Sequence, residues 1–346
     1  MRKQSTIKLF FQEAQQAGRF ASLVVVSLLL AVPGVLAQAD PLPSWNDGPA
    51  KQAIVAFVQT TTDTSHPDYV PPEARIATFD QDGTTWVEYP VYTQARYCFD
   101  RVATLAQEKP ELKDIKPFKT VLSGDKAAIA GLPMADLEKI IGATMTGMTV
   151  EALTGQVQQW LETARDTRWK RSYAELVYQP MLEVMQYLRA NGYKTYFVTG
   201  GSQDFVRAFA QSVYAIPPEQ VVGTMGATTF GYDAAGRPKL TEEPRLLLDD
   251  NGPGKPEGIH LMIGRRPVAA FGNSVGDREM LEYTQAGSGA RLMMLVHHDD
   301  AGREYAYGPA SKVGTFTDAL MAQAKQQNWV VISMKNDWKR IFPWEQ

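Results

Sequence analysis

Ile76-Ala77-Thr78-Phe79-Asp80-Gln81-Asp82-Gly83-Thr84 is the stretch that decides the reading of this 346-residue chain. A short, mostly apolar run of strand type stops abruptly at two carboxylates, a glycine and a hydroxyl. Acidic side chains two positions apart at a strand end point into one small space. Like charges so placed repel unless a cation joins them or one is protonated. A hard divalent metal accounts for both the pair and the glycine, and Mg²⁺ takes one or two carboxylates together with substrate phosphate oxygens. With Asp80 as nucleophile, Asp82 hands a proton to a leaving alkoxide and later activates water. The same stretch also reads as an ordinary D-x-D-G turn, structural or Ca²⁺-binding. By itself it leaves the two readings level.

Downstream, the periodicity is helical from about residue 88 to 180. Val150, Leu153, Val157, Trp160 and Leu161 make one face of an amphipathic helix, and Met134, Leu137, Ile140 and Ile141 make another. After Pro180 the chain alternates between helix and strand. A helix through Leu182, Met185 and Leu188 stops at Asn191-Gly192 and leads to a strand at Thr195–Val198. Further strands are expected at Gln220–Val222, Val268–Phe271 and Arg291–Val296, with a hairpin over Thr229–Leu240 turning at Asp233–Gly236. Such alternation implies an α/β fold with a doubly wound, mostly parallel, Rossmann-like sheet, whose ligands sit beyond the C-terminal strand ends.

Two more polar clusters fall at such places, and a lysine lies in a loop entering a helix. Thr199-Gly200-Gly201-Ser202 sets a hydroxyl and bare amides at a strand end before a helix, which suits phosphate. Lys255, between Gly254 and Pro256, is able to neutralise a nucleophile and phosphoryl oxygens. Phe271-Gly272-Asn273-Ser274-Val275-Gly276-Asp277 ends a third strand and opens a helix. Taken singly, each also has a structural reading: a routine turn, a solvated loop lysine, a helix N-terminal carboxylate.

In this order the four motifs resemble the haloacid dehalogenase superfamily, on its phosphoserine-phosphatase-like branch with a helical cap. The resemblance covers roughly residues 75–300. It implies Asp80 as nucleophile and metal ligand, and Asp82 as general acid/base whose backbone carbonyl also meets the metal. It implies Thr199 and the Gly200 amide as phosphate holders, Lys255 as the charge-stabilising lysine, and Asp277 as a residue serving Mg²⁺. Many relatives carry Asp where this chain has Asn273. An amide oxygen still ligates Mg²⁺ but brings one less negative charge. On the sequence alone, Asn273→Asp is therefore expected to lower the Mg²⁺ concentration needed for activity.

The start of the chain reads as a secretory signal. Arg2, Lys3, Lys8 and Arg19 precede an uncharged apolar run from Phe20 to Leu36, and small residues around Ala37 suit cleavage. The expected protein is exported, periplasmic or secreted, and touches a membrane only through this segment if it stays uncleaved. The expected organisation is a signal peptide at 1–37, a linker with a brief helix at 38–74, an α/β core at 75–87 and 181–346, and a helical cap at 88–180. A net charge of −3 leaves no electrostatic footprint for nucleic acid. Cys98 is the single cysteine, so no intramolecular disulfide forms. His66, His260, His297 and His298 read as surface or loop residues, and Trp86, Tyr89, Tyr92 and Tyr97 mostly as core. The expected function is Mg²⁺-dependent hydrolysis of small phosphate monoesters through an aspartyl phosphate. Transfer to an acceptor alcohol, or a non-catalytic secreted binding protein on the same fold, are the alternatives.

Overall fold

The run Ile76–Phe79 is strand β1, buried along its whole length. It lacks the in–out alternation of a half-exposed strand because helices cover both faces of its sheet. The computed structural model describes residues 39–345, so the signal-peptide reading of residues 1–37 lies outside the described residues. The other strands are β2 (Lys194–Ser202), β3 (Val221–Tyr232), β4 (Pro238–Leu248), β5 (Ala269–Gly272), β6 (Leu292–His297) and β7 (Val330–Ser333). Their order is β4-β3-β2-β1-β5-β6-β7, with β4 antiparallel to β3 and every other pairing parallel.

β1 is the switch point. The chain leaves it for β2 on one side and reaches β5 on the other, which opens a crevice at the C-terminal ends of these strands. Register aligns the exits, since Phe79 pairs with both Phe197 and Phe271. The Phe79 and Phe271 rings stack at 4.4 Å beneath the crevice, in the apolar floor that the polar groups stand on.

The helices, in chain order, begin with α1 (Pro49–Thr62). An inserted set follows: α2 (Thr93–Glu108), α3 (Lys116–Leu122), α4 (Lys126–Ala130), α5 (Met134–Met145) and α6 (Val150–Thr163). The sheet is then covered by α7 (Gln179–Ala190), α8 (Gln203–Tyr214), α9 (Gly254–Gly258), α10 (Arg278–Gln285), α11 (Asp318–Gln326) and α12 (Met334–Asp337). Within the insert α2 packs on α5, while α6 lies on α8 and touches β4. From Asp40 onward the chain forms one compact unit. Among the described residues no helix is long and apolar enough to cross a membrane.

Residues 39–74 are not a linker with a brief helix. α1 runs for 14 residues and packs on β6 and β7, with Ile54, Phe57 and Val58 buried. Leu42 and Trp45, ahead of it, are fully buried. Trp45 bridges Trp338 across an antiparallel pair, and the Lys339 amide donates to the Ser44 carbonyl at 2.8 Å. This segment therefore belongs to the core domain. The flanking prolines hid it, because they signal loop while fixing only the helix start. The hairpin is longer than expected as well: β3 runs unbroken from the sheet into an exposed ribbon with β4, turning at Asp233–Gly236. β7 lies outside the strands expected from sequence. It is a four-residue strand at the sheet edge, half-buried at three of its four positions.

Candidate active site

The crevice gathers its side chains from all three central strands. Asp80 follows β1 directly, its amide donating to the Phe271 carbonyl at 2.8 Å. The buried Lys255 ammonium lies 2.6 Å from Asp80 Oδ1 and 2.9 Å from Asp277 Oδ1, and donates to the Val198 carbonyl at 2.5 Å. Asp277 Oδ2 accepts from the Asn273 and Ser274 amides, both at 2.9 Å. Both Asp277 oxygens are thus engaged by protein donors. Burial pushes the Asp80 carboxyl above the ordinary range, Asp277 adds to that push, and Lys255 opposes it. Burial works against the Lys255 charge, but Asp277, Asp80 and Asp250 outweigh it and hold its pKa above the usual lysine value.

A second set surrounds Asp82. The Trp86 indole N–H donates to Asp82 Oδ1 at 2.7 Å, and the ring stacks on Phe209 of α8. The Asp82 carboxyl is pushed up to about 6 by the protein crowded round it, against the pull of Trp86 and Lys255. Gly201, in the irregular end of β2, sits so close that a Cβ there would lie 3.7 Å from Asp82 Oδ2. The Thr199 hydroxyl accepts from the Gly201 amide at 3.1 Å, which folds the Thr199-Gly200-Gly201 loop against Asp82. The Thr84 hydroxyl reaches Asn273 Oδ1 at 3.2 Å and Asp80 Oδ2 at 3.5 Å. Residues singled out from four separate places in the sequence therefore meet around one crevice.

The sequence profile described as haloacid dehalogenase-like hydrolase matches residues 77–282, more than half of the chain. The chain belongs to this family. No curated protein matches it. Among solved structures, a conserved functionally unknown protein from Anaerococcus prevotii DSM 20548 is similar in fold. Its TM-score is 0.52 at 14% identity, over 85% of this chain and 94% of its own. A protein of unknown function from Bordetella pertussis Tohama I gives a TM-score of 0.46 at 13% identity, over 75% and 97% of the two chains. A phosphoserine phosphohydrolase-like protein from Francisella tularensis subsp. tularensis SCHU S4 gives 0.36 at 14%, over 73% and 98%.

The site of this haloacid dehalogenase-like hydrolase also holds residues that motif reading missed. Glu88 is buried, its Oε1 accepting from Asn273 Nδ2 at 2.6 Å and from the Tyr307 hydroxyl at 2.7 Å. His298 is not at the surface. It is buried with Nε2 2.8 Å from the Gly83 carbonyl and Nδ1 3.1 Å from Glu304 Oε2, so it braces the turn that carries Asp82. Asp250 is fully buried beside the Thr199 loop, and burial pushes its carboxyl up to about 8, with Lys255 pulling the other way. None of these lies in a spacing pattern. Only Glu88 carries a local signal, an acid between Val87 and Tyr89, whereas His298 and Asp250 have polar neighbours on both sides.

The residues present fit a Mg²⁺ ion. Asp80, Glu88, Asp250 and Asp277 are all buried, with Lys255 the one ammonium set among them. That imbalance of buried acid over base favours a cation. Among the described residues no three His, Cys, Asp or Glu side chains converge as a ready-made cluster. The crevice instead offers mixed oxygen groups, among them the Asp80 carboxylate and the Asn273 amide oxygen, both within reach of the Thr84 hydroxyl. Few protein ligands with room for water and phosphate oxygens is the usual pattern for Mg²⁺.

Proposed function

We propose that this hydrolase is an exported, Mg²⁺-dependent phosphatase acting on small phosphate monoesters through an aspartyl phosphate on Asp80. The observation that carries the reading is the Asp80–Lys255–Asp277 chain with Asp82 held beside it by Trp86. Lys255 occupies one oxygen of Asp80 and leaves Oδ2 for attack. A bond forms from Asp80 Oδ2 to phosphorus while the ester P–O bond breaks, and the Asp82 proton passes to the departing alkoxide. A carboxyl pushed up to about 6 keeps a protonated fraction near neutrality, as a general acid needs. Water then attacks phosphorus, Asp82 takes its proton, and phosphate leaves with Asp80 regenerated. Thr199 and the Gly200 amide hold phosphoryl oxygens, and Lys255 balances their charge.

Mg²⁺ would be held by Asp80, Asn273 and the Asp82 carbonyl, and would supply neutralisation of the transferring phosphoryl group. Asp277 serves that site at one remove, through Lys255 and the amides of the Asn273 loop. Export rests on the basic-then-apolar pattern of residues 1–37. The deciding experiment is a panel of phosphate monoesters assayed with wild type and Asp80→Asn, with and without chelator. Wild-type turnover should vanish in chelator and return with Mg²⁺, and Asp80→Asn should be inactive with unchanged melting. Activity above a few per cent in that variant removes Asp80 from the nucleophile's role.

A further inference from the structure

Glu88 is a carboxyl in an unusual place. It is 2% exposed, and the hydrogen bonds to its Oε1 come from two neutral donors, Asn273 Nδ2 and the Tyr307 hydroxyl. A buried acid without a cationic partner is destabilising unless its surroundings are built for it. Here they are. Gly83, at φ +72°, and Gly314, at φ +57°, close on the carboxyl from two loops. A Cβ at Gly83 would lie 2.2 Å from Glu88 Oε1, and one at Gly314 would lie 1.7 Å from it. No side chain larger than hydrogen fits either position, and Gly83 belongs to the same turn as Asp82.

The geometry also settles which way the Asn273 amide faces. Its nitrogen needs an acceptor, and Glu88 Oε1 supplies one at 2.6 Å. Its oxygen then takes the Thr84 hydroxyl, the same hydroxyl that reaches Asp80 Oδ2. We propose that Glu88 is the positioning residue for Asn273, turning the amide nitrogen away from Asp80 and presenting the amide oxygen to the metal position. Asn273 and Glu88 are then a matched pair, amide donor against carboxyl acceptor. The proposal rests on the metal-dependent reading above and reverses the expectation from sequence. Asn273→Asp would set a second carboxyl 2.6 Å from Glu88, where the two can only repel or share a proton, rather than simply adding a useful charge.

The test is a side-chain exchange read by Mg²⁺ binding, using isothermal titration calorimetry on wild type, Asn273→Asp, Glu88→Gln and the double variant. Melting of each is followed in chelator. Asn273→Asp should weaken Mg²⁺ binding about 10–100-fold, the usual loss when an outer partner of a metal ligand is disturbed. In the double variant the amide nitrogen introduced at position 88 donates to the new carboxylate. Its Mg²⁺ binding should return to within about threefold of wild type, as coupled partners do. Its melting in chelator should recover in parallel. Glu88→Gln alone keeps an acceptor oxygen and should lose less than Asn273→Asp. Tighter binding by Asn273→Asp with Glu88 intact overturns the pairing, as does a double variant with no recovery. A Glu88→Gln loss as large as that of Asn273→Asp also overturns it, because Glu88 would then act through charge. If Asn273→Asp does not fold, Glu88→Met carries the test, since it fills the space without an acceptor: undiminished Mg²⁺ binding sinks the proposal. A wild type that neither binds Mg²⁺ nor hydrolyses any ester removes the underlying reading too, a result distinct from binding without exchange.

Discussion

Trp86, which the sequence presents mostly as core, holds a carboxylate of the crevice. Its indole N–H holds Asp82 Oδ1, so the proposed proton donor is aimed by an aromatic ring that is itself locked against Phe209. Asp82→Asn should slow turnover of an alkyl phosphate about 10²–10⁴-fold, the usual worth of general acid help. p-Nitrophenyl phosphate, whose leaving group departs without a proton, should lose much less. Comparing kcat/KM on the two esters checks this, and equal losses would deny Asp82 the role. At this scale the sequence is legible where carboxylates, glycines and hydroxyls stand side by side at strand ends. Asp80, Asp82, Thr199 and Asp277 are of that kind, while Lys255 stands between Gly254 and Pro256 in α9. Glu88, His298 and Asp250 are not legible. Their meaning comes from burial and from partners across long separations, such as His298 on the Gly83 carbonyl.

Among the elements, the β3–β4 ribbon is legible as a hairpin but not as a wall of the insert. Its β4 strand is stitched to the insert by main chain. The Glu242 amide donates to the Met148 carbonyl, and the Gly147 amide to the Glu242 carbonyl, both at 2.9 Å. The Glu242 side chain is buried there with Oε1 unpartnered. Burial, reinforced by Asp204, pushes its carboxyl from an ordinary 4.5 up to about 7. Between those values the folded state holds a proton that the unfolded state releases, so this group makes stability fall as pH rises through that window. Glu242→Gln should melt higher than wild type at pH 8 and alike at pH 4, as followed by circular dichroism. A difference that does not change with pH would mean that Glu242 stays charged in the fold. The buried parallel strands other than β7 are legible because they leave unbroken apolar runs. α1 is legible only as a brief helix, because its apolar stripe is short and set among prolines.

Across the whole molecule, the aromatic segment near the C-terminus is structural. Phe342 is fully buried against Tyr178, Trp169 and Trp344. Phe342→Ala should cost about 3–5 kcal/mol in denaturant unfolding. The loss should also reach the crevice, because Tyr178 donates to Glu304, Glu304 holds His298, and His298 braces the Gly83 turn. Unchanged stability would mean that the segment merely rests on the surface.

The clasp between Trp45 and Trp338 carries a consequence for the order of synthesis. The first buried tryptophan of the described chain has to wait for a partner made long after it. β1 waits too, because its neighbour β5 begins only at Ala269. Contacts this distant close slowly and late. Until β5 has been made, the polypeptide has no complete central sheet to collapse onto.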